Sequence, residues 1–260
     1  MRALRFTQAA PACVLNLFIA GCAELHGAEP DTALDAQLRT EVELFARTDD
    51  VSFPAPCQVL FVGSSSIRMW NTLSQDMAPL PVINRGFGAS HIEHVTRWFE
   101  QLVAPHRPRS IVFYARENDV AAGKSSSSVI ADFDAFMERK RTALGDVPVY
   151  FISLKPSRLR FEQLRRQSQV NAAIRMRAAK RADLYYMDVA SPMLQNGEPR
   201  DLFTADNLHM TRDGYVIWTQ VVRAALLPNA ESEARNCATT LSARPRASLC
   251  CLPRDPRLDP

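Results

Sequence analysis

The sequence has no run of the roughly 18–20 apolar residues that a helix needs to cross a bilayer, which excludes a polytopic membrane protein. It is also poor in cysteine: the 260 residues include six, and none has the C-x-x-C spacing of many zinc sites. The net charge is only +3, and the first 21 residues contribute Arg2 and Arg5 without any acid. The rest of the chain is nearly neutral, so we expect no nucleic-acid partner.

Residues 1–21 have the features of a secretory signal peptide, because two arginines precede a short apolar stretch and small residues precede Cys22. A buried helix is the alternative, but Pro11 and Asn16 disfavour a regular one. The segment Ile19-Ala20-Gly21-Cys22 is similar to the lipobox of bacterial lipoproteins, in which the cysteine carries the lipid. We therefore expect an exported bacterial protein, either periplasmic or tethered to a membrane as a lipoprotein through Cys22. The compartment would be oxidising, although the sequence does not show which cysteines pair.

The remainder of the chain divides into three parts of different character. Residues 22–50 consist of a linker and an amphipathic helix, which the apolar spacing predicts over residues 31–46. Residues 51–228 form the main domain, and a chain that is 47% hydrophobic has enough apolar residues for one ample core. Residues 229–260 contain four prolines and no hydrophobic period, which predicts a disordered tail.

Five short apolar runs in the main domain alternate with segments of helical period. They span residues 59–62, 82–83, 111–115, 149–154 and 184–189. Strands that are apolar on both faces and alternate with helices are typical of a parallel sheet covered on both sides. The sequence therefore predicts an α/β fold, a three-layer α/β/α sandwich with a five-stranded parallel sheet. Ligands of such sheets bind beyond the carboxyl ends of the strands, in the loops that lead into the helices.

The first of these loops reads Gly63-Ser64-Ser65-Ser66. Serines at a strand-to-helix junction often cap the helix, and that interpretation alone would explain them. They can equally present a nucleophile on a tight turn, where the free N–H groups of the helix start meet a developing anion. A phosphate-binding loop is the third interpretation, but the lysine and second glycine of a P-loop are missing.

Three more loops carry polar residues, each of which is common when found alone. Residues 84–89 include two glycines after the second strand, an arrangement that can turn backbone amides toward an anion. Asn118 lies between two acids after the third strand and offers a side-chain N–H donor. Asp206 and His209 precede the last helix and are close enough in sequence to form a hydrogen bond that orients the imidazole.

These four blocks, in this order, resemble the SGNH or GDSL-type hydrolases, and most closely exported bacterial esterase-like members whose nucleophile block reads Gly-Ser-Ser-Ser. The resemblance implies a serine esterase with Ser65, Asp206 and His209 as its catalytic triad. It also implies an oxyanion hole formed by the backbone amides of Ser65 and Ala89 and by the Asn118 side chain. A small-molecule, lipid or acylated-glycan ester would be the substrate, and neither a metal nor an organic cofactor is implied.

The sequence departs from the family pattern at four positions. Ser64 replaces the aspartate of the family's name-giving motif, and Asn207 replaces a common glycine. Ala89 replaces the glycine of the oxyanion block, so a positive φ at this position would cost about 1 kcal/mol or more. Arg116 replaces a glycine near Asn118. Two alternatives to an esterase remain: a catalytically impaired binding module that keeps the SGNH fold, or a nucleotide- or phosphate-binding flavodoxin-like domain that uses the loop of residues 64–66.

Other residues receive structural interpretations. His91 and His94 lie on one helical turn and are expected at the helix surface or the rim of the site rather than as metal ligands. The segment Lys155-Pro156-Ser157 either lines the pocket or forms a turn. The arginine-rich residues 158–166 are expected to form a solvated helix face, with contact to anionic lipid as the alternative. The three tryptophans, Trp70, Trp98 and Trp218, are expected in the core or at the rim.

Overall fold

A computed structural model describes residues 33–115 and 117–243 of the chain. The predicted signal peptide, Cys22 and Arg116 lie outside these ranges. Within the described ranges, no helix has both the length and the apolar character that a membrane span requires.

Ten α-helices and seven strands follow one another in the described ranges, together with four short 3₁₀ helices. The helices are α1 Ala33–Val51, α2 Ser65–Arg68, α3 Leu73–Met77, α4 Ile92–Arg97, α5 Phe99–Leu102, α6 Glu117–Ala121, α7 Ser126–Leu144, α8 Leu164–Ala178, α9 Arg212–Leu226 and α10 Ala230–Ala243. The strands are β1 Val59–Gly63, β2 Val82–Gly86, β3 Ser110–Tyr114, β4 Val149–Ile152, β5 Leu184–Met187, β6 Leu194–Gln195 and β7 Glu198–Pro199. The 3₁₀ helices are Ala104–His106, Arg158–Gln163, Ser191–Met193 and Leu227–Asn229.

The first five strands form one parallel sheet in the order β2-β1-β3-β4-β5, and the five apolar runs of the sequence supply them. Gly63 at the end of β1 is in register with Gly86 of β2 and Tyr114 of β3. The carboxyl ends of β1, β2 and β3 are therefore level. The loops that follow them all begin at the same edge of the sheet.

Helices cover both faces of the sheet, as the two-sided apolar strands predict. In β1, Leu60 and Val62 face one core and Val59 and Phe61 face the other. The first core also contains residues of α1, α4, α5, α7 and α8, and the second contains residues of α2, α3 and α9. The three-layer α/β/α prediction is therefore confirmed.

The tryptophans belong to these cores. Trp70 and Trp218 are fully buried in the second core, where their rings pack edge to face with centroids 5.8 Å apart. Trp98 is buried in the first core against Phe87. Of the two positions expected for these residues, core and rim, the structure selects the core.

Helix α1 extends further than its apolar spacing predicts. It is helical to Val51, whereas the pattern indicated an end at residue 46; residues 31 and 32 lie outside the described ranges. Asp49 stabilises the additional turn, because its carboxylate accepts a 2.5 Å hydrogen bond from the buried Arg85 and lies 3.5 Å from His106. A buried ion pair of this kind leaves no hydrophobic period in the sequence.

The prediction of a disordered tail is wrong for residues 230–243, which form helix α10. This helix is anchored by polar and covalent contacts rather than by an apolar stripe. The Tyr150 hydroxyl donates a 2.5 Å hydrogen bond to Glu233, and Cys237 forms a disulfide with Cys57, next to the start of β1. Residues 244–260 lie outside the described ranges.

Candidate active site

The site begins with the turn between β1 and α2. Gly63 has a φ of +142°, and a Cβ there would lie only 1.7 Å from the carbonyl oxygen of Tyr114. Only glycine allows β1 to run this close to β3. The same Tyr114 oxygen accepts a 2.8 Å hydrogen bond from the backbone N–H of Ser64, which precedes helix α2 in an extended conformation. Ser65 is therefore the first residue of α2, at the carboxyl edge of the sheet.

Ser65, His209 and Asp206 form a continuous hydrogen-bonded chain. The Oγ of Ser65 lies 2.9 Å from Nε2 of His209, and Nδ1 of His209 lies 2.6 Å from Oδ2 of Asp206. Ser65 and His209 are 144 residues apart in sequence, so the fold alone brings them together. The predicted proximity of these three side chains is present in the structure.

Asp206 is held by its own loop. Its Oδ1 atom accepts hydrogen bonds from the Thr204 hydroxyl at 2.8 Å and from the backbone N–H groups of Leu208 and His209 at 2.9 Å. Burial acts to raise the pKa of the Asp206 carboxyl, but these bonds and the His209 ring outweigh burial and hold that pKa well below its usual range. The carboxylate is therefore ionised when it faces the imidazole.

Asn207 gives the same loop its tight turn. Its φ is +58°, in the left-handed region that glycine occupies without strain and that asparagine tolerates better than most residues. The replacement of the family's common glycine is therefore mild.

Ala89 also adopts the left-handed conformation, with a φ of +54°. The replacement of the family's glycine therefore has a cost at this position, about 1 kcal/mol or more. Within the described ranges, the backbone N–H groups of Ala89 and Ser65 have no hydrogen-bond partner in the protein. Both donors are free to bind a ligand.

Asn118 is the third predicted donor, and two neighbours fix its side chain. Its Nδ2 atom donates a 3.0 Å hydrogen bond to the carbonyl oxygen of Ser90. Its Oδ1 atom accepts two hydrogen bonds of 3.1 Å from the terminal nitrogens of Arg160. Sequence reasoning missed this contact and assigned Arg160 to a solvated helix face. Arg160 instead lies in the 3₁₀ helix Arg158–Gln163, and only 16% of its side chain is exposed.

A buried polar cluster lies behind Ser66, the residue after Ser65. The ammonium of Lys155 forms an ion pair with Glu117 and lies 3.3 Å from the Ser66 hydroxyl. Glu117 also accepts hydrogen bonds of 2.8 Å from the hydroxyls of Tyr114 and Ser157. Although burial acts to raise the pKa of Glu117, the Lys155 charge holds it below its usual range. The segment 155–157 is therefore a buried brace, and it joins the ends of β3 and β4 to helix α2.

Helix α1 reaches the site through Glu41. One carboxylate oxygen accepts a 2.9 Å hydrogen bond from the backbone N–H of Gly88, and the other accepts one of the same length from Arg68 in α2. A Cβ on Gly88 would lie 2.7 Å from the Arg68 guanidinium and 2.9 Å from Glu41, so glycine leaves room for this pair. Glu41 thereby holds the loop that carries Ala89, and no motif in the sequence indicates it.

His91, Glu93 and His94 are, within the described ranges, a group whose ligand atoms are close enough to hold a metal ion. The structure gives them other partners. His94 is buried, whereas a position at the helix surface or the rim of the site was expected. Its Nδ1 atom accepts a 3.0 Å hydrogen bond from the backbone N–H of His91, and its Nε2 atom lies 3.4 Å from the Asp35 carboxylate. Burial lowers the pKa of His94 to about 4. Glu93 pairs with Lys124 at 2.9 Å. We therefore assign His94 a structural role at the start of α4.

The sequence model of the GDSL-like Lipase/Acylhydrolase family matches residues 59–217, more than half of the chain and all four loops described above. The chain belongs to this family. It is a hydrolase that acts on ester bonds, and the resemblance drawn from the four loops is confirmed. No curated protein matches the chain.

Solved structures share the hydrolase's fold at low sequence identity. A GDSL-like lipase from Bacteroides thetaiotaomicron has a TM-score of 0.63 and 20% identity, over 72% of this chain and 97% of that one. A carbohydrate esterase family 3 structure from Talaromyces cellulolyticus has a TM-score of 0.56 and 16% identity, over 68% and 99%. A variant of an acetyl-xylooligosaccharide esterase from Geobacillus stearmophilus has a TM-score of 0.51 and 12% identity, over 65% and 93%.

Proposed function

We propose that the hydrolase cleaves acyl or acetyl esters with Ser65 as nucleophile, His209 as general base and acid, and Asp206 as the group that orients His209. The observation that carries this proposal is the chain of hydrogen bonds from Ser65 through His209 to Asp206, of 2.9 and 2.6 Å. Serine is a weak nucleophile until an adjacent base accepts its proton, and the base works best when a third group fixes its orientation.

The first half of the reaction forms an acyl-enzyme. The Ser65 oxygen bonds to the carbonyl carbon of the ester while its proton passes to Nε2 of His209. The carbonyl oxygen becomes an oxyanion, which the free N–H groups of Ser65 and Ala89 and the Asn118 amide are suited to bind. The bond to the alcohol oxygen then breaks, and the departing alcohol takes the proton from His209.

The second half releases the acid. A water molecule gives a proton to His209 and bonds to the acyl carbon, through the same oxyanion. The bond to Ser65 breaks, Ser65 recovers its proton from His209, and the carboxylic acid leaves. Asp206 stays ionised throughout, which agrees with the lowered pKa of its carboxyl.

The substrate class follows from the family and from two of the fold neighbours. Members of this family act on acyl esters, and two solved structures with this fold are esterases of carbohydrate substrates by name. We therefore propose a small-molecule, lipid or acylated-glycan ester as substrate. A hydrolysis panel of p-nitrophenyl esters of increasing chain length and of acetylated sugars separates these classes.

The test of the proposed function is covalent labelling with a fluorophosphonate probe, which reacts with a serine that a neighbouring histidine activates. We expect one adduct per chain, on the peptide that contains Ser65, and no adduct on heat-unfolded protein. The catalytically impaired binding module predicts the opposite result: a folded protein that neither reacts with the probe nor hydrolyses p-nitrophenyl acetate.

We further propose that the hydrolase is exported and carries lipid on Cys22. The Cys57–Cys237 disulfide supports an oxidising compartment, because structural disulfides are rare in the cytosol. Mass spectrometry of protein isolated from a bacterial host tests this proposal. We expect an amino-terminal peptide that begins at an acylated Cys22, and a peptide that retains Met1 would contradict export.

A further inference from the structure

Arg160 reaches the site from outside the four loops that carry the family resemblance. Both terminal nitrogens of its guanidinium donate 3.1 Å hydrogen bonds to Oδ1 of Asn118. The guanidinium also lies 3.8 Å from a carboxylate oxygen of Glu117, which is itself paired with Lys155. The Arg160 charge is therefore shared between an acid that already has a partner and a neutral amide.

This contact determines which way the Asn118 amide faces. With Oδ1 toward Arg160, one N–H of the amide group donates to the Ser90 carbonyl, and the second has no acceptor among the residues that the structure describes. The flipped amide would place its N–H donors against the guanidinium and its oxygen against the Ser90 oxygen, so both contacts would be repulsive. Arg160 and Ser90 together hold Asn118 with a free N–H donor.

The guanidinium also strengthens that donor. A positive charge at the amide oxygen draws electron density away from the nitrogen, and hydrogen bonds that polarise one another in this way reinforce each other. A lysine at this position could not make the same forked contact.

The backbone around Arg160 connects two of the loops. Arg160 has a non-helical conformation, with φ −119° and ψ 23°, inside its 3₁₀ helix. The preceding residue, Leu159, donates a 2.9 Å backbone hydrogen bond to Asn207, in the loop between Asp206 and His209. One short segment therefore contacts both the amide of Asn118 and the loop that presents the imidazole.

We propose that Arg160 is a positioning residue of this ester hydrolase, which orients and polarises the Asn118 amide for the oxyanion. The proposal rests on the proposed function, because it assigns a donor role to Asn118. Arg160 acts through Asn118 and does not itself contact the reacting atoms.

The experiment is a double-mutant cycle on the hydrolysis of p-nitrophenyl acetate. Loss of one oxyanion donor typically costs about 10²–10³-fold in kcat, which we expect for Asn118→Ala. We expect Arg160→Met to lower kcat by roughly tenfold or more with little change in KM, and Arg160→Lys to recover only part of that loss. In the Asn118→Ala background, Arg160→Met should have almost no further effect, because residues that act as a unit are not additive.

The matched control is Arg158→Met, in the same 3₁₀ helix; the Arg158 side chain is 45% exposed, and its guanidinium lies 3.5 Å from the Asp201 carboxylate. It should keep the wild-type kcat. Thermal unfolding midpoints of all variants distinguish a loss of fold from a loss of positioning. If Arg160→Met does not fold, the Arg160→Lys variant, alone and with Asn118→Ala, completes the same cycle.

Three results would overturn the proposal: an unchanged kcat in a folded Arg160→Met variant, an equal loss in the presence and absence of the Asn118 side chain, or an effect on KM alone. The last would mean that the guanidinium binds the substrate directly. Failure of the proposed function would give a different result: replacing Ser65 in the otherwise wild-type protein would leave ester turnover unchanged.

Discussion

Replacing Ser65 with alanine is expected to lower kcat for ester hydrolysis by about 10⁵–10⁶-fold, the range seen when a serine hydrolase loses its nucleophile. His209 then has no hydroxyl to deprotonate, and among the described residues no other hydroxyl forms a hydrogen bond with its Nε2 atom. The measurement is the single-turnover rate with p-nitrophenyl acetate, together with loss of the fluorophosphonate adduct.

Ser64→Ala is the matched control for this variant. Ser64 is the adjacent residue, it is buried, and its side chain makes no capping hydrogen bond to helix α2. It should retain most of the activity, because the backbone N–H that anchors the turn to Tyr114 is unchanged. A folded Ser65→Ala variant that turns over at the wild-type rate would remove the basis of the assigned mechanism.

Replacing Asp206 with asparagine is expected to lower kcat by about 10⁴-fold while the fold is retained. In the wild-type protein, the Asp206 carboxylate accepts a hydrogen bond from Nδ1 of His209. Nε2 is then unprotonated and can receive the proton of Ser65. An asparagine amide can donate to Nδ1 and so favour the other tautomer, and it cannot stabilise the imidazolium by charge. The pH profile of kcat/KM for both proteins, measured with the same ester, provides the comparison.

Asp213→Asn serves as the control, since Asp213 is an exposed acid in the first turn of α9, close in sequence but outside the hydrogen-bonded chain. It should change kcat by less than about twofold, as expected for a surface substitution. An Asp206→Asn variant with activity within tenfold of wild type would show that His209 is oriented by other contacts, such as its backbone.

The sheet and the catalytic edge could be predicted from the sequence because both depend on local patterns. Two-sided apolar runs indicate parallel strands, and the carboxyl ends of such strands determine where loop residues meet. The resemblance of the four loops to the family then assigned Ser65, Asp206 and His209 to one catalytic triad, although the chain between Ser65 and His209 is long. The positive φ of Ala89 was not predicted; the sequence showed only that alanine stands where the family has a glycine, and that a positive φ there would have a cost.

The contacts that the sequence did not reveal are polar and join distant parts of the chain. In the sequence, nothing distinguishes Arg160 from the solvated arginines near it. Only the 3₁₀ conformation of its segment turns its side chain toward Asn118. Helix α10 is held by a disulfide and by Glu233 rather than by an apolar face, so hydrophobic periodicity gave no sign of it. Pairings of this kind follow no fixed spacing in the sequence, because the partners become neighbours only in the folded protein.

The Glu41 contact has a consequence for the choice of gene fragments. The family match begins at residue 59, whereas Glu41 lies in helix α1, ahead of that boundary. A recombinant piece trimmed to the recognised homology region would leave the Gly88 amide and the Arg68 guanidinium without their shared acceptor. Cloning designs for this hydrolase should therefore begin upstream of Ala33, so that the whole of α1 accompanies the loop it supports.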